Sequence, residues 1–340
     1  MGSSDHGRIA VVVPVLNEVS GLRLLLDDLA KQSLSPSAFV VLVLDGGSSD
    51  GTEEMAQGLV GTLPYELLVL RNPNKTVPHA RNLALEVLPD DIVWLVELIG
   101  HVRVDADHLE RRLEAWWSAE AEHGPALAAV GVRVHGPTEF RSRAQGWINA
   151  ALQSPLGRGG GQFSAFEHVG LTKVPAFAMH RRRAVTEVGG WDPAWPTSQD
   201  SDLSMRLLKA GHVLVRDPRV SVRMDRRTGL RLHWRMSVRY GYWRGRLLRK
   251  HPSRFDIRES LPLVGLLLTG LLWLAMPAYV VLPAAAYVVV LTLAALWSMV
   301  RSRDSSHIFG LPLALSILHA GFTLGLVWSL FGRPPKGPDR

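Results

Sequence analysis

No cysteine occurs among the 340 residues, which excludes disulfides and thiolate metal centres. No charged side chain occurs in residues 261–300, and in residues 308–331 only His319 can ionise. A helix rises about 1.5 Å per residue and the hydrocarbon core of a bilayer is about 30 Å thick, so roughly 20 residues span it. A stretch this long without charge is too long for a soluble core hairpin. It predicts two spans, residues 261–279 and 281–300, with Pro277 and Pro283 at the turn. Residues 309–331 predict a third, in which Gly321 and Gly325 form a small-xxx-small pair suited to close helix packing. The chain does not open on an apolar run, so the N-terminal head is expected in the cytoplasm. It also lacks G-x-x-x-x-G-K-[ST] and G-x-G-x-x-G, which argues against a plain dinucleotide domain.

Charge is concentrated where the apolar part begins. The net charge is +7, and twelve Lys and Arg residues lie between Arg223 and Arg258, immediately before the first span. That position favours the cytoplasmic face of a membrane over nucleic acid as the source of the charge. Arg301 and Arg303 fall on the same side if there are three spans, and the tail after Phe331 falls outside. Within residues 230–250, Leu230, Trp234 and Val238 lie four apart, as do Arg231, Arg235 and Arg239. This predicts an amphipathic helix in the membrane interface. The expected division is a head over 1–229, a basic interfacial segment over 230–260, spans over 261–331 and a tail over 332–340.

The head alternates strands and helices. Residues 9–13, 39–44, 67–70, 92–96 and 126–134 read as buried strands. Asn17 is placed to cap a helix with Leu22, Leu25, Leu26 and Leu29 as its apolar stripe. Further helices are expected from about Glu53, from Arg81 to Val87, over 108–117 with Leu109, Leu113 and Trp116 on one face, and over 201–210. The pattern predicts an α/β domain with a mostly parallel, Rossmann-like sheet covered on both faces. Ligands of such sheets bind beyond the carboxyl ends of the strands.

Asp45 stands at the end of a strand in a turn containing Gly46, Gly47 and Gly51, where backbone approaches a ligand closely and a carboxylate accepts hydrogen bonds from a base or sugar. Asp50 with Glu53 has the spacing of a helix cap with a reciprocal acid, so Asp50 reads equally as structural. Arg81 suits bidentate phosphate contacts or a helix-surface ion pair. Lys75 lies nearby in a polar loop, where most lysines are simply solvated.

These residues resemble a known family. Val13-Pro14-Val15-Leu16-Asn17-Glu18, the 45–52 turn, Ala80-Arg81-Asn82, Val188-Gly189-Gly190-Trp191-Asp192, Gln199-Asp200-Ser201-Asp202-Leu203 and Arg206 are similar, in that order, to the motifs of inverting family 2 glycosyltransferases with the GT-A fold. Gly159-Gly160-Gly161, Ala176-Phe177, Arg239-Tyr240-Gly241, Arg244 and His251-Pro252 resemble the succinoglycan-type exopolysaccharide transferases. The resemblance implies that Pro14 and Glu18 line the nucleotide pocket, that Asp45 binds the base, that Arg81 supports base or diphosphate and that Lys75 meets the diphosphate. It implies that Asp200 is the general base beside Gln199 and that Arg239 and Arg244 face the acceptor. The family's fourth strand ends in a divalent-cation motif. Here the aligned residue is Glu97, which with His101 becomes the expected ligand pair for Mn²⁺ or Mg²⁺. Asp105 with Asp107 is the runner-up, and a site without metal is the third possibility.

The expected function is a multi-pass plasma-membrane glycosyltransferase with a cytoplasmic head. Its donor is a nucleotide-sugar, a UDP-hexose in the first instance, and its acceptor a polyprenyl-diphosphate-linked glycan of exopolysaccharide synthesis. A polyprenyl-phosphate sugar synthase is the enzymatic alternative. A non-catalytic assembly subunit is the alternative of another class, motivated by Glu97 and by Gln199 in place of the usual Glu.

Overall fold

A computed structural model describes residues 7–158, 166–224 and 229–334. Gly159-Gly160-Gly161 lies outside the described residues. The chain forms two compact units, Met1–His135 with Ala165–Asp225, and Gly136–Ser164 with Arg226–Arg340. Residues 136–164, expected within a continuous head, thus group with the C-terminal unit.

The first unit is built on one sheet. Strands β1 (Arg8–Val15), β2 (Phe39–Asp45), β3 (Glu66–Arg71) and β4 (Ile92–Glu97) are parallel, in the order β3-β2-β1-β4. Beyond β4 come the short antiparallel β8 (Met179–Arg181), then β6 (Leu127–His135), β9 (Val213–Met224) and β5 (Val102–Arg103), with β7 (Gly170–Leu171) also on β9. Side chains alternate along β1, so each face of the sheet holds its own core. Ile9, Val11, Val13 and Val15 pack with helices α1 (Val19–Leu29), α2 (Thr52–Gln57) and α4 (His108–His123). Ala10 and Val12 pack with α3 (Val77–Val87), α6 (Arg182–Glu187) and α7 (Gln199–Lys209). Each fully buried Val or Leu contributes about 1.5–3 kcal/mol relative to exposure. That explains why continuous Val/Leu runs were legible as central strands.

Asn17 does not cap α1. Glu18 holds that position, and Asn17 turns outward at φ 55° so that its Oδ1 accepts the N–H of Ser49 at 2.8 Å. It therefore staples the β1–α1 loop to the 45–52 turn. Asp50 forms no reciprocal cap with Glu53. The residue preceding α2 is Gly51, in the left-handed region.

The second unit is helical: α5 (Arg143–Gln153), α8 (Leu230–Lys250), α9 (Ile257–Ala275), α10 (Leu282–Ser302) and α11 (His307–Trp328). Three helical segments, Ile257–Ala275, Pro277–Ser302 and His307–Trp328, are long and apolar enough to cross a membrane. They begin and end within a few residues of the expected spans. Helix α5, which the sequence pattern did not reveal, packs on α11 through Trp147. The Trp147 indole N–H donates to Ser306 at 2.9 Å.

Candidate active site

The strand order reverses direction between β1 and β4, which makes their carboxyl ends the natural crevice of the sheet. Two of the expected site residues, Glu18 and His101, meet at this point, and a glycine makes room for them. A Cβ on Gly100 would lie 3.0 Å from Glu18 Cβ, and the Glu18 carboxylate faces His101 Nδ1 at 3.0 Å. Pro14, buried near the end of β1, pairs in register with Leu44 of β2.

The 45–52 turn is organised by its own acids. Asp45 is fully buried, and its Oδ1 accepts the N–H groups of Gly47 at 2.7 Å and Ser48 at 2.8 Å. Its Oδ2 accepts the Ser48 hydroxyl. Asp50 accepts the N–H of Thr52 at 3.0 Å and that of Val19 at 3.1 Å. Both carboxylates therefore hold the loop that forms the crevice wall. Lys75 is exposed, at φ 61°, and its Cε lies 3.8 Å from where a Cβ on Gly47 would stand, which sets its chain against this turn.

The centre of the site is Arg81. Its Nη2 lies 3.0 Å from Glu97 Oε2, and its Nη1 donates to Asp200 Oδ1. Arg81 is on α3, Glu97 at the end of β4 and Asp200 in the first turn of α7. The guanidinium also stands 5.5 Å from the Trp191 ring centroid. Its neighbour Asn82 fixes the next loop by exchanging two hydrogen bonds with the Trp191 backbone at 2.7 and 2.8 Å. Glycine is required just before, because Gly190 has φ 71° and a Cβ there would sit 2.6 Å from Asn82 Oδ1. Arg206 completes the clamp, pairing with buried Asp202 at 2.8 Å and donating to the carbonyls of Val188 and Gly190. Asp202 is thus a structural support, whereas Asp200 does not cap its helix: Ser198 precedes α7.

Glu97 is buried among two arginines and a histidine. His180 Nε2 lies 3.2 Å from its Oε1, and buried Arg112 adds its field. Burial alone would raise its carboxyl, but Arg81, His180 and Arg112 outweigh that and hold it below the usual glutamate range. Asp200 goes the other way. Burial pushes its carboxyl up against the pull of Arg81, and the like charge of Glu97 pushes it further. Its side chain keeps 32% exposure, and among the described residues its Oδ2 has no hydrogen-bond partner. A carboxylate held by one oxygen, with the other open and its proton affinity increased, is suited to general-base work.

The profile of the family described as Glycosyl transferase family 2 matches residues 10–189. The chain belongs to that family. It is 30% identical to the succinoglycan biosynthesis protein ExoA of Rhizobium meliloti (strain 1021) over 282 residues, 78% of this chain and 79% of that one. It is 22% identical over 331 residues to a dolichyl N-acetyl-alpha-D-glucosaminyl phosphate 3-beta-D-2,3-diacetamido-2,3-dideoxy-beta-D-glucuronosyltransferase of Methanococcus voltae, covering 94% and 97% of the two chains. Among solved structures, the mannosyltransferase PcManGT of Pyrobaculum calidifontis, in complex with GDP-Man and Mn²⁺, superposes with a TM-score of 0.61 at 18% identity, over 96% of this chain and 88% of that one. The fold is that of the family, GT-A, and the protein is a glycosyltransferase.

The expected metal pair is not brought together. His101 faces Glu18, while Glu97 faces Arg81 and His180. A dication at Glu97 would have to displace a buried guanidinium, so this donor set does not fit Mn²⁺ or Mg²⁺. The runner-up fares no better: Asp105 pairs with Arg223 and Asp107 with Arg111, both at 2.7 Å. Among the described residues no three His, Asp or Glu side chains cluster as a cation site. Gln199 occupies the first position of α7, next to Asp200. Arg239 and Arg244 belong to the C-terminal unit. Arg239 is half-buried, and Arg244 pairs with Glu259 at 2.9 Å.

Sequence reasoning missed His180 and Arg112. His180 sits on a three-residue strand with no periodic signal. Arg112 left a trace: it interrupts the stripe of Leu109, Leu113 and Trp116. A guanidinium on an apolar helix face has a buried partner to meet. Arg112 donates to the Phe177 carbonyl and to His108 Nε2, both at 2.8 Å, and burial lowers it to about 9 despite Glu97.

Proposed function

We propose that this protein is a membrane-anchored, inverting glycosyltransferase with its catalytic head in the cytoplasm. It moves a hexose from a nucleotide-sugar, a UDP-hexose in the first instance, to a hydroxyl of a polyprenyl-diphosphate-linked glycan in exopolysaccharide synthesis. The relative named for succinoglycan biosynthesis supports the pathway class, and the relative named for a dolichyl-phosphate-linked acceptor supports a lipid-linked one. The observation that carries the chemistry is Asp200, fixed by Arg81 through one oxygen and open at the other.

Asp200 Oδ2 takes the proton of the acceptor hydroxyl as that oxygen bonds to the anomeric carbon. The bond to the donor diphosphate breaks on the opposite face, the nucleoside diphosphate leaves, and the anomeric centre inverts. A carboxylate suffices because the hydroxyl becomes acidic only as the new bond forms. Asp45, Asp50 and Asn17 hold the wall where Pro14 and Glu18 meet the base, and Lys75 meets the diphosphate. Gln199 lies beside the base, and Arg239 and Arg244 belong to the acceptor side.

A panel of nucleotide-sugars, scored by nucleoside diphosphate release, tests the assignment together with Asp200→Asn. General-base catalysis is worth about 10²–10⁴ in rate, so the variant should lose on the order of 10³-fold while still binding donor. Near-wild-type turnover would remove the hydroxyl acceptor and leave a lipid phosphate in its place, since a phosphate oxygen needs no base. Donor binding without turnover by the wild type would instead support the assembly-subunit reading.

A further inference from the structure

Strand β8 is three residues long, yet it is paired on both sides. His180, its middle residue, stands opposite Leu95 of β4 and opposite Ala129 of β6. Two residues earlier, the Ala178 carbonyl accepts the N–H of Glu97 at 3.0 Å. Residues two apart on a strand share a face, so His180 and Glu97 are diagonal neighbours on one face of the sheet. His180 Nε2 lies 3.2 Å from Glu97 Oε1, and the other oxygen of Glu97 faces Arg81. The Trp191 ring closes the circle. It stands edge-on to His180 at 6.0 Å between centroids, and 5.5 Å from the Arg81 guanidinium carbon. Among the described residues His180 Nδ1 is buried without a partner. An orphaned buried N–H is the rarer kind of unpaired group, which puts the proton of the ring on Nε2, facing Glu97.

His180, Glu97, Arg81 and Asp200 thus stand in series. Glu97 is buried, out of reach of bulk water. Arg112 is committed elsewhere, through Nη1 to the Phe177 carbonyl and through Nε to His108, both at 2.8 Å. Without the imidazole N–H, the outer oxygen of Glu97 has Arg81 to turn to. A guanidinium drawn into a two-pronged pair with one carboxylate lets go of the other. Resting on the reading of Asp200 as the base, we propose that His180 is a positioning residue for the transfer reaction. It occupies the outer oxygen of Glu97, so that Arg81 keeps one arm for Asp200. It acts through Glu97 and Arg81 rather than on the sugar or the diphosphate.

Transfer by the full chain is followed as nucleoside diphosphate release for the wild type, His180→Met and His180→Gln. Methionine fills the space without a donor, and glutamine returns an N–H at similar reach. Misplacing a reacting group by about 1 Å can cost 10²-fold, so His180→Met should lose on the order of 10- to 100-fold in kcat, and His180→Gln should recover most of it. Donor KM should not change. The charged groups facing Asp200 are Arg81 from α3, Glu97 from β4 and His180 from β8. Against burial, Arg81 and His180 pull its carboxyl down, so weakening their hold in His180→Met moves the acid limb of kcat to higher pH. In a Glu97→Gln background His180→Met should cost nothing further, whereas independent sites multiply their losses. Wild-type kcat and acid limb in His180→Met, equal losses in the Met and Gln variants, or multiplied losses in the double variant would each overturn the inference. If His180→Met alone fails to fold, Glu97→Gln should restore folding, because the stranded charge is gone. A double variant that stays unfolded overturns it as well. Asp200→Asn keeps the two readings apart. Full activity there removes the base itself, whereas its collapse beside a fully active His180→Met removes only the role of His180.

Discussion

Arg81 in the sheet unit and Arg244 in the helical unit are both buried arginines that face carboxylates, yet their environments move them in opposite directions. For Arg81, burial lowers the guanidinium, but Glu97 and Asp200 together outweigh it and the net shift is upward. For Arg244, burial lowers it, Glu259 opposes, Arg254 lowers it again, and the result is about 10. The difference lies in the company rather than the burial. Arg81 is in direct ion pairs with two acids, whereas Arg244 pairs directly with Glu259 alone, to which Arg254 also comes within 3.5 Å, and Asp256 acts on it only at longer range. A buried cation survives as a fixed structural element when carboxylates surround it, and becomes a weakly held charge when another cation competes.

Removing each arginine should expose this asymmetry. Arg81→Met leaves Glu97 and Asp200 facing each other without their shared cation, and breaking a buried pair this way costs about 3–5 kcal/mol. Urea unfolding of the solubilised protein should show a loss of that size, and a loss below about 1 kcal/mol would contradict the central role given to Arg81. Arg244→Met should cost less, about 1–3 kcal/mol, since Arg254 still serves Glu259 and the carboxylate is not left without a cation. Equal losses at the two sites would erase the comparison.

The finest test is the pH profile of transfer. Asp200 must be ionised to act, so activity falls as pH drops through its raised pKa. Glu97→Gln removes a like charge that helps raise it and leaves Arg81 to Asp200 alone. The acid limb should then move to lower pH. A limb that stays in place or moves up would mean that Glu97 does not act on the base. The same profile recorded with chelator and with added Mn²⁺ tests whether a cation at Glu97 takes over from Arg81. Superposed curves are the expected result, because the donor set there is already committed to Arg81 and His180.

Much of the first unit was legible in advance. Its central strands are Val/Leu runs buried on both faces, and that pattern has few other readings. Asp200, Arg81 and Glu97 were each singled out, but with separate tasks. Their union was not visible, because 119 residues separate Arg81 from Asp200 and no local pattern records a pairing made by folding. Strand β9 and helix α5 were missed for a related reason. In β9, Arg216, Asp217, Arg219 and Arg223 break the apolar alternation, and α5 is polar with only a narrow buried side.

The sequence by itself determined the α/β layering of the sheet unit and the apolar C-terminal helices, since hydrophobic period and run length are local properties. The tertiary structure alone decided that Glu97 serves Arg81 instead of His101, that Asp45 is occupied by its own turn, and that α8 packs closely against α11. Each of these depends on which groups meet across long stretches of chain. The energy of a buried charge or a glycine contact is set by its partner, and composition does not name the partner.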